Sequence, residues 1–393
     1  MSKWTSFRLV DVAAVNPKLL NRPSGEELVS FVPMSAVDAV SGTVDSSESR
    51  HFGEVAKGYT VFASGDILVA KITPCFENGK IAKADLPQPI GVGSTEFHVI
   101  RPDRSKLDAR YLLHFLRRPV VRVDGERRMT GSGGQRRVPP AFLSDLSIPL
   151  PSLSEQRRIA EVLDRADELR AKRREALARV DGLTQSIFVD MFGDPHRLHL
   201  KWDAMPLEAA CSAINDCPHS TPRWTDSGEI CLRTSNLTKG GWDWTDTRFV
   251  SPATFIERSK RGSVEPGDII LSREGTVGIA AIVEEGMRIC MGQRLVQVRP
   301  RADLLTPKFL LAHLLNVLAP ERIASFMVGS TSQHLNVREL KTLRVPLPPV
   351  RLQQQFAARA QAVDRLKDAQ QRQLAEVNGL FASLQDRAFR GLL

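Results

Sequence analysis

Apolar residues step by three and four along two stretches of this chain. In the first, Ile159, Val162, Ala166, Leu169, Ala176, Val180, Leu183 and Ile187 keep one register, with Arg173 on the same seam. In the second, Phe356, Val363, Leu366, Val377, Leu380 and Leu384 do so, with Arg359, Gln370 and Gln373 among them. This is the seam of a coiled coil, and it predicts long helices over 154–192 and 351–393. Prolines precede each: Pro149 and Pro151, then Pro346 and Pro348. Ser154 is the expected N-cap of the first helix, and Glu155 suits its positive end. Arg173 and Gln370 fall at the same register of the two copies, where a polar residue weakens packing but fixes alignment. The two helices are therefore expected to pack on each other, antiparallel. A helix of about 36 residues is about 54 Å long at about 1.5 Å per residue, a rigid spacer between whatever it carries.

Outside these helices the pattern changes. Short apolar runs broken by glycine and proline fill 1–153 and 193–350. Gly65-Asp66-Ile67-Leu68 and Gly267-Asp268-Ile269-Ile270 read as turns entering strands. Phe97-His98-Val99-Ile100 and Leu295-Val296-Gln297-Val298 read as further strands ended by Arg-Pro. A helical pattern follows in each, around Leu112–Leu116 and Phe309–Leu318.

The two halves are copies. Ile148-Pro149-Leu150-Pro151 returns as Val345-Pro346-Leu347-Pro348, Arg101-Pro102 as Arg299-Pro300, and Gly131-Ser132 with Gln135 as Gly329-Ser330 with Gln333. Asp181-Gly182-Leu183 returns as Asn378-Gly379-Leu380. All recur about half the chain apart and in the same order, the signature of an internal repeat. The expected fold is α/β (α+β): two similar domains, 1–153 and 193–350, separated by two long antiparallel coiled-coil helices with pseudo-two-fold symmetry.

The chain has 393 residues, 42% hydrophobic and 25% charged, enough to bury cores, and a formal net charge of +9 that favours an acidic partner such as nucleic acid. The first residues lack the apolar run of a signal peptide, and the longest apolar stretch, 309–319, is interrupted by His313 and Asn316. Five scattered cysteines suit free thiols in a reducing compartment, so a cytoplasmic location without membrane attachment is expected.

Catalytic constellations are not evident. No phosphate-binding loop occurs, and Gly91-Val92-Gly93 lacks the rest of a dinucleotide fingerprint. No run of the kind that amino-methyltransferases use to hold a flipped base is found. Cys211, Cys217, His219 and Cys231 are not spaced as zinc ligands, and no metal or cofactor is expected on this chain. Asp66, Glu77 and Lys80 mimic a nuclease triad, with Asp268 and Glu274 in the second half. The aspartates follow glycine before a strand, where aspartate is an ordinary turn residue.

Several loops suit nucleic acid instead. In 130–137, Ser132, Gln135, Arg136 and Arg137 accompany glycines that let backbone approach a ligand. The second copy offers Ser330, Thr331, Gln333 and His334. Hydroxyls and arginines reach phosphates; glutamine and arginine read base edges. The polar stretch from Asp216 carries His219, Thr221 and Arg223, and leads to Arg233, Asn236 and Lys239. Lys71, Thr73 and Arg273 follow the Gly-Asp strands. Trp242 and Trp244 are candidates for base stacking if exposed, and core residues if not.

The run from Ile148 through Ser154-Glu155-Gln156-Arg157-Arg158-Ile159, its copy from Val345 to Phe356, Gly93-Ser94-Thr95-Glu96-Phe97 and the stretch 216–222 together resemble the DNA-specificity subunits of Type I restriction-modification systems. The resemblance covers both halves and both helices. The second copy departs from it with Leu352-Gln353 for Glu155-Gln156 and Met291-Gly292-Gln293-Arg294 for 93–96, which adds Arg294 to the candidate contacts. The resemblance implies two target recognition domains, each reading one half of a bipartite site in double-stranded DNA. It implies helices that set the gap and dock two methyltransferase subunits binding S-adenosylmethionine, and an ATP- and Mg-dependent restriction and translocase subunit. This chain would then carry recognition and no catalysis. A nuclease or modification enzyme with an unrecognised site, and a coiled-coil protein adaptor, are the alternatives.

Overall fold

The computed structural model describes residues 4–19, 21–45, 47–132, 134–195, 197–275, 277–319, 327–328 and 334–393, with the backbone alone at 327–328 and His334. The chain divides into two compact units, Met1–Ala176 with Gln370–Leu393, and Leu177–Ala369. Each unit therefore holds one mixed region and a part of both long helices.

In the first unit a four-stranded antiparallel sheet runs in the order Ala13–Val15, Phe97–Pro102, Ile67–Ala70, Ile81–Lys83. A second sheet has the order Ser49–His51, Leu28–Val32, Ile90–Gly93, Thr60–Ala63, its central pair parallel. The second unit repeats the first of these sheets with Cys211–Asp216, Leu295–Pro300, Ile269–Ser272 and Ala280–Ile282. Its other sheet again contains one parallel pair, Glu229–Leu232 with Ile289–Met291. A two-stranded ribbon, Ser6–Arg8 with Ser147–Pro149 and Ala204–Pro206 with Arg344–Pro346, closes each.

The repeated motifs have one physical cause. Gly65 and Gly267 take positive φ, +92° and +90°, at the turns into Ile67–Ala70 and Ile269–Ser272. The following aspartates turn inward. Asp66 accepts hydrogen bonds from the backbone N–H of Ala63 (2.8 Å) and from Arg101 Nε and Nη2 (2.8 and 2.7 Å). Asp268 accepts from Glu265 N–H (2.8 Å) and from Arg299 Nε and Nη2 (2.7 and 2.9 Å). The Gly-Asp turn and the Arg-Pro strand end are thus two ends of one ion pair between a buried aspartate and a half-buried arginine, present once per unit. The glycines at 91–93 are also structural. A Cβ on Gly93 would sit 2.2 Å from the Val32 carbonyl oxygen, and one on its counterpart Gly292 2.1 Å from that of Leu232. Only glycine allows strands this close.

The first long helix spans Leu153–Asp181, breaks at Gly182, and resumes over Leu183–Phe192; the second spans Val350–Arg390. The expected N-cap is corrected: Ser154 lies inside the helix, and Ser152 Oγ accepts from Glu155 N–H (3.3 Å). In the first unit the helical segments run antiparallel, with Arg170 Nε donating to Asn378 (2.8 Å) and Arg173 Nη1 to Gln370 (3.4 Å). The two polar seam residues therefore meet each other. In the second unit Lys367 pairs with Asp181 (2.5 Å) and Phe188 packs edge-on against Phe356 (5.5 Å). Seam residues Leu169, Leu366 and Leu380 are 42%, 42% and 54% exposed, so the pattern gave their register but not their burial.

Each helix is fixed to its unit by a buried glutamine. Gln156 Oε1 accepts from Asp108 N–H (2.8 Å), and its Nε2 donates to the carbonyls of Lys106 and Pro151 (2.8 and 2.9 Å). Gln353 does the same with Thr306 N–H, Leu304 and Pro348, at 2.8, 2.9 and 2.8 Å. This explains the Glu-Gln and Leu-Gln junctions: the glutamine is the common part.

Candidate nucleic-acid interface

In the first unit the loop 130–137 is a hairpin tied to the strand that follows Asp66. Thr130 and Arg137 exchange backbone hydrogen bonds (3.0 and 2.7 Å), Thr73 N–H donates to Arg136 (3.0 Å), and Val138 N–H to Lys71 (2.8 Å). Gly131 has φ +132°, and a Cβ there would lie 2.5 Å from the Gln135 carbonyl oxygen. Ser132, Gln135 and Arg136 are exposed at the tip. The structure thus brings Lys71, Thr73, Ser132, Gln135, Arg136 and Arg137 into one patch.

Carboxylates hold its arginines. Arg137 makes a bidentate pair with Glu96 (2.9 and 3.0 Å), and Arg136 lies 3.5 Å from Glu77, which also accepts from Thr73 Oγ1 (2.8 Å). The Arg137 hydrogen bond holds the Glu96 carboxyl below its ordinary range, against a smaller opposing effect of burial. Lys80 donates to the Met34 carbonyl (2.7 Å), and Asp66 is closed off by Arg101. Asp66, Glu77 and Lys80 therefore have separate structural partners and do not face one open site.

The second unit keeps the backbone frame and changes the side chains. Arg273 N–H donates to the Arg294 carbonyl (3.0 Å) as Lys71 N–H does to that of Glu96 (2.9 Å), and Leu335 N–H donates to Arg273 (2.8 Å) as Val138 does to Lys71. The strands Met327–Val328 and His334–Leu335 pair antiparallel, which puts His334 at the matching hairpin. Ser330, Thr331 and Gln333 lie outside the described residues. Arg294 is largely exposed, has a left-handed φ of +66°, and pairs with Glu274 (3.1 Å).

Two expected contacts are corrected. Asn236 is 1% exposed; its Oδ1 accepts from Arg233 N–H (2.9 Å) and its Nδ2 donates to the Asp243 carbonyl (3.0 Å). Its amide is used inside the fold. Arg273 keeps only 13% of its side-chain exposure and clasps Asp216 through Nη1 (2.5 and 2.7 Å), so it supports the 216–223 loop from beneath. On that loop His219, Thr221 and Arg223 are exposed, with His219 3.4 Å from Asp216. Lys239 is exposed on a separate turn, and Arg233 pairs with Asp246.

The residue that the sequence did not point to is Arg258. It is 4% exposed and donates to the carbonyls of Met291 (2.7 Å), Ser220 (3.1 Å) and Pro218 (3.3 Å), clamping the polar loop onto the sheet. An arginine on the inner face of the helix Pro252–Ser259 was its only signal. Cys211 and Cys217 are buried; burial pushes the Cys211 thiol up to about 12 and also raises Cys217. Among the described residues, no group of three His, Cys, Asp or Glu side chains is placed to hold a metal ion, and no helix is long and apolar enough to cross a membrane.

A sequence profile of the Type I restriction modification DNA specificity domain matches residues 1–179 and 227–378. The chain is 44% identical over 157 residues to the Type I restriction enzyme EcoEI specificity subunit of Escherichia coli, a match covering 40% of this chain and 26% of that protein. It is 23% identical over 338 residues to the EcoKI specificity subunit of Escherichia coli (strain K12), covering 80% of this chain and 72% of that one. The EcoEI match thus spans about a quarter of that relative's length. Two solved structures share the fold. One, from work on complex assembly and conformational transition of the type I R-M system, has a TM-score of 0.63 at 23% identity, covering 99% of this chain and 98% of that one. The other, the S subunit of a Type I restriction-modification system from M. genitalium, has a TM-score of 0.55 at 16% identity, covering 99% and 96%. Two profile matches laid over two units with one backbone frame settle the assignment: this chain belongs to the family of Type I restriction-modification DNA specificity subunits.

Proposed function

We propose that this chain selects the DNA sequence on which a Type I restriction-modification complex acts. Each unit reads one element of a two-part site in double-stranded DNA, and the chain contributes no catalytic group. The observation that carries this reading is one backbone frame built twice, with Lys71, Glu96, Arg136 and Arg137 on one copy and Arg294 in the place of Glu96 on the other. One scaffold with two sets of side chains is what reading two different half-sites requires. Phosphate contacts from exposed Arg136, Arg223 and Lys239 would supply salt-dependent affinity, and loop side chains at base edges would supply choice.

The chemistry belongs to partners in this proposal. Two methyltransferase subunits would carry S-adenosylmethionine and receive an adenine flipped from the duplex. A restriction and translocase subunit would use ATP and Mg.

The test is expression of this chain with the methyltransferase subunit of its own system, followed by mapping of N6-methyladenine in host DNA. A split motif with a fixed gap that appears only when this chain is present is expected. Methylation unchanged by the chain, in cells where the two proteins co-purify, would overturn the reading.

A further inference from the structure

The second unit carries an aromatic feature that its twin lacks. The strands Leu237–Thr238 and Gly241–Trp242 pair so that Leu237 faces Trp242; the matching ribbon of the first unit pairs Val37 with Val44. Trp242 is half-buried against the core, and its indole Nε1 donates to the Ile282 carbonyl (3.0 Å). Trp244 stacks on it, with ring centroids 5.3 Å apart and planes 20° from parallel. The inner indole covers one face of Trp244. The residue is nonetheless 39% exposed.

The peptide that presents Trp244 is held from both sides. Buried Asn236 donates to the carbonyls of Asp243 (3.0 Å) and Asp246 (3.3 Å), and Asp243 N–H donates back to Asn236 (2.9 Å). Asp243 Oδ1 accepts from the N–H and hydroxyl of Thr245 (2.9 and 2.7 Å), and Thr247 Oγ1 donates to the Trp244 carbonyl (2.9 Å). Arg233 ties Asp246. A large apolar ring is thus kept exposed by a network that fixes its backbone. Lys239 is exposed five residues before it, and Arg248, four residues after it, pairs with Asp246 (3.3 Å).

We propose that Trp244 is a stacking residue for an unpaired or partly unstacked nucleobase, and that it serves the half-site read by the second unit alone. This rests on the DNA-recognition reading above. A rigid aromatic face loses little side-chain entropy on contact, and every base offers it a π surface. The first unit keeps part of this turn, with Asp45 N–H donating to the Ala36 carbonyl (2.8 Å) and Ser47 N–H to Asp45 (3.1 Å), but it has alanine where the second has Asn236.

The experiment uses the full chain bound to its methyltransferase subunit and a library of random duplexes in which every pyrimidine carries 5-iodine. Irradiation couples an iodinated base to an aromatic ring stacked on it, and the adduct is located by mass spectrometry. An adduct at Trp244, in the tryptic segment 240–248, is expected. W244L should lose it and bind selected duplexes roughly 5- to 150-fold more weakly at fixed salt, while W244F, which keeps a ring, retains most of the affinity. Unchanged thermal unfolding of W244L separates lost stacking from lost fold. Adducts elsewhere only, with W244L binding as the parent does, would overturn the stacking role and leave DNA recognition standing. Release of the methyltransferase from W244L would assign the ring to a protein contact and also overturn it. Failure of the parent complex to retain any duplex would overturn both.

Discussion

Replacing Gln156 with leucine keeps most of the side-chain volume and removes all three hydrogen bonds that this side chain makes at the start of the first long helix. Asp108 N–H loses its acceptor, and the carbonyls of Lys106 and Pro151 lose a donor. Leaving such groups unpaired costs about 1–3 kcal/mol each. These bonds are only partly buried, and water can reach some of the freed atoms, so the sum is nearer about 2–4 kcal/mol than the full total. For a unit of this size that is a fall in melting temperature of roughly 4–16 °C. Gln353 provides the internal control, since it makes the twin contacts in the other unit. Amide hydrogen exchange on the full chain should quicken around 104–113 and 150–160 in Q156L and around 302–311 and 347–357 in Q353L. Gln373 is exposed, and Q373L should stay within about 0.5 kcal/mol of the parent. If Q156L exchanges no faster than Q373L, the glutamine is not a clamp and the repeat at these junctions needs another cause.

Four further outcomes follow from geometry already described. D66N and D268N should each destabilise their own unit by about 2–4 kcal/mol, because each leaves an arginine without its buried partner; a variant that keeps full stability in chemical denaturation would contradict the structural role of that aspartate. G93A and G292A should cost about 2 kcal/mol or more, since the obstructing atom is backbone oxygen and cannot swing away; wild-type melting curves would refute this. R258M should free the 218–220 carbonyls, speed exchange there and weaken duplex binding, with 130–137 unchanged; slow exchange throughout 218–220 would refute the clamp. Asp164 is raised by burial, but the His114 hydrogen bond and Arg110 outweigh this and hold its carboxyl below the ordinary 3.8. A lowered folded value means stability present above the ordinary range and lost as pH falls through it. The gap between wild type and D164N should therefore be constant near neutrality and close only in strong acid; a gap that closes above pH about 5 would refute the assignment.

How far the sequence reaches is best judged on pairs of residues. The seam positions Arg173 and Gln370 were legible because helical periodicity is local, and the structure joins them directly. The Gly-Asp and Arg-Pro repeats were legible as separate motifs. Their union as Asp66–Arg101 and Asp268–Arg299 was not, because strand pairing brings together residues distant in sequence. Ser152 replaces Ser154 as cap because both residues cap well and only the helix's first turn decides between them. Asn236 and Arg273 show the reverse limit. A polar side chain in a polar stretch reads as a contact, and burial, which makes it a strut, is a tertiary property.

One unit is contiguous in sequence and the other is not. The second unit needs only 177–369, whereas the first needs 1–176 and then 370–393. Ala388 and Phe389 lie in its core, with Phe389 5.0 Å from Tyr111. During synthesis the region translated first is therefore the last to be completed. At about 5–20 residues per second, roughly 10–40 s separate the emergence of its body from that of the segment that seals it. Through that interval the surface around Tyr111 and Phe115 waits uncovered, a natural site for a chaperone to hold. A chain cut short before 370 would keep a second unit able to fold and a first unit left open, so closure of the first unit depends on 370–393.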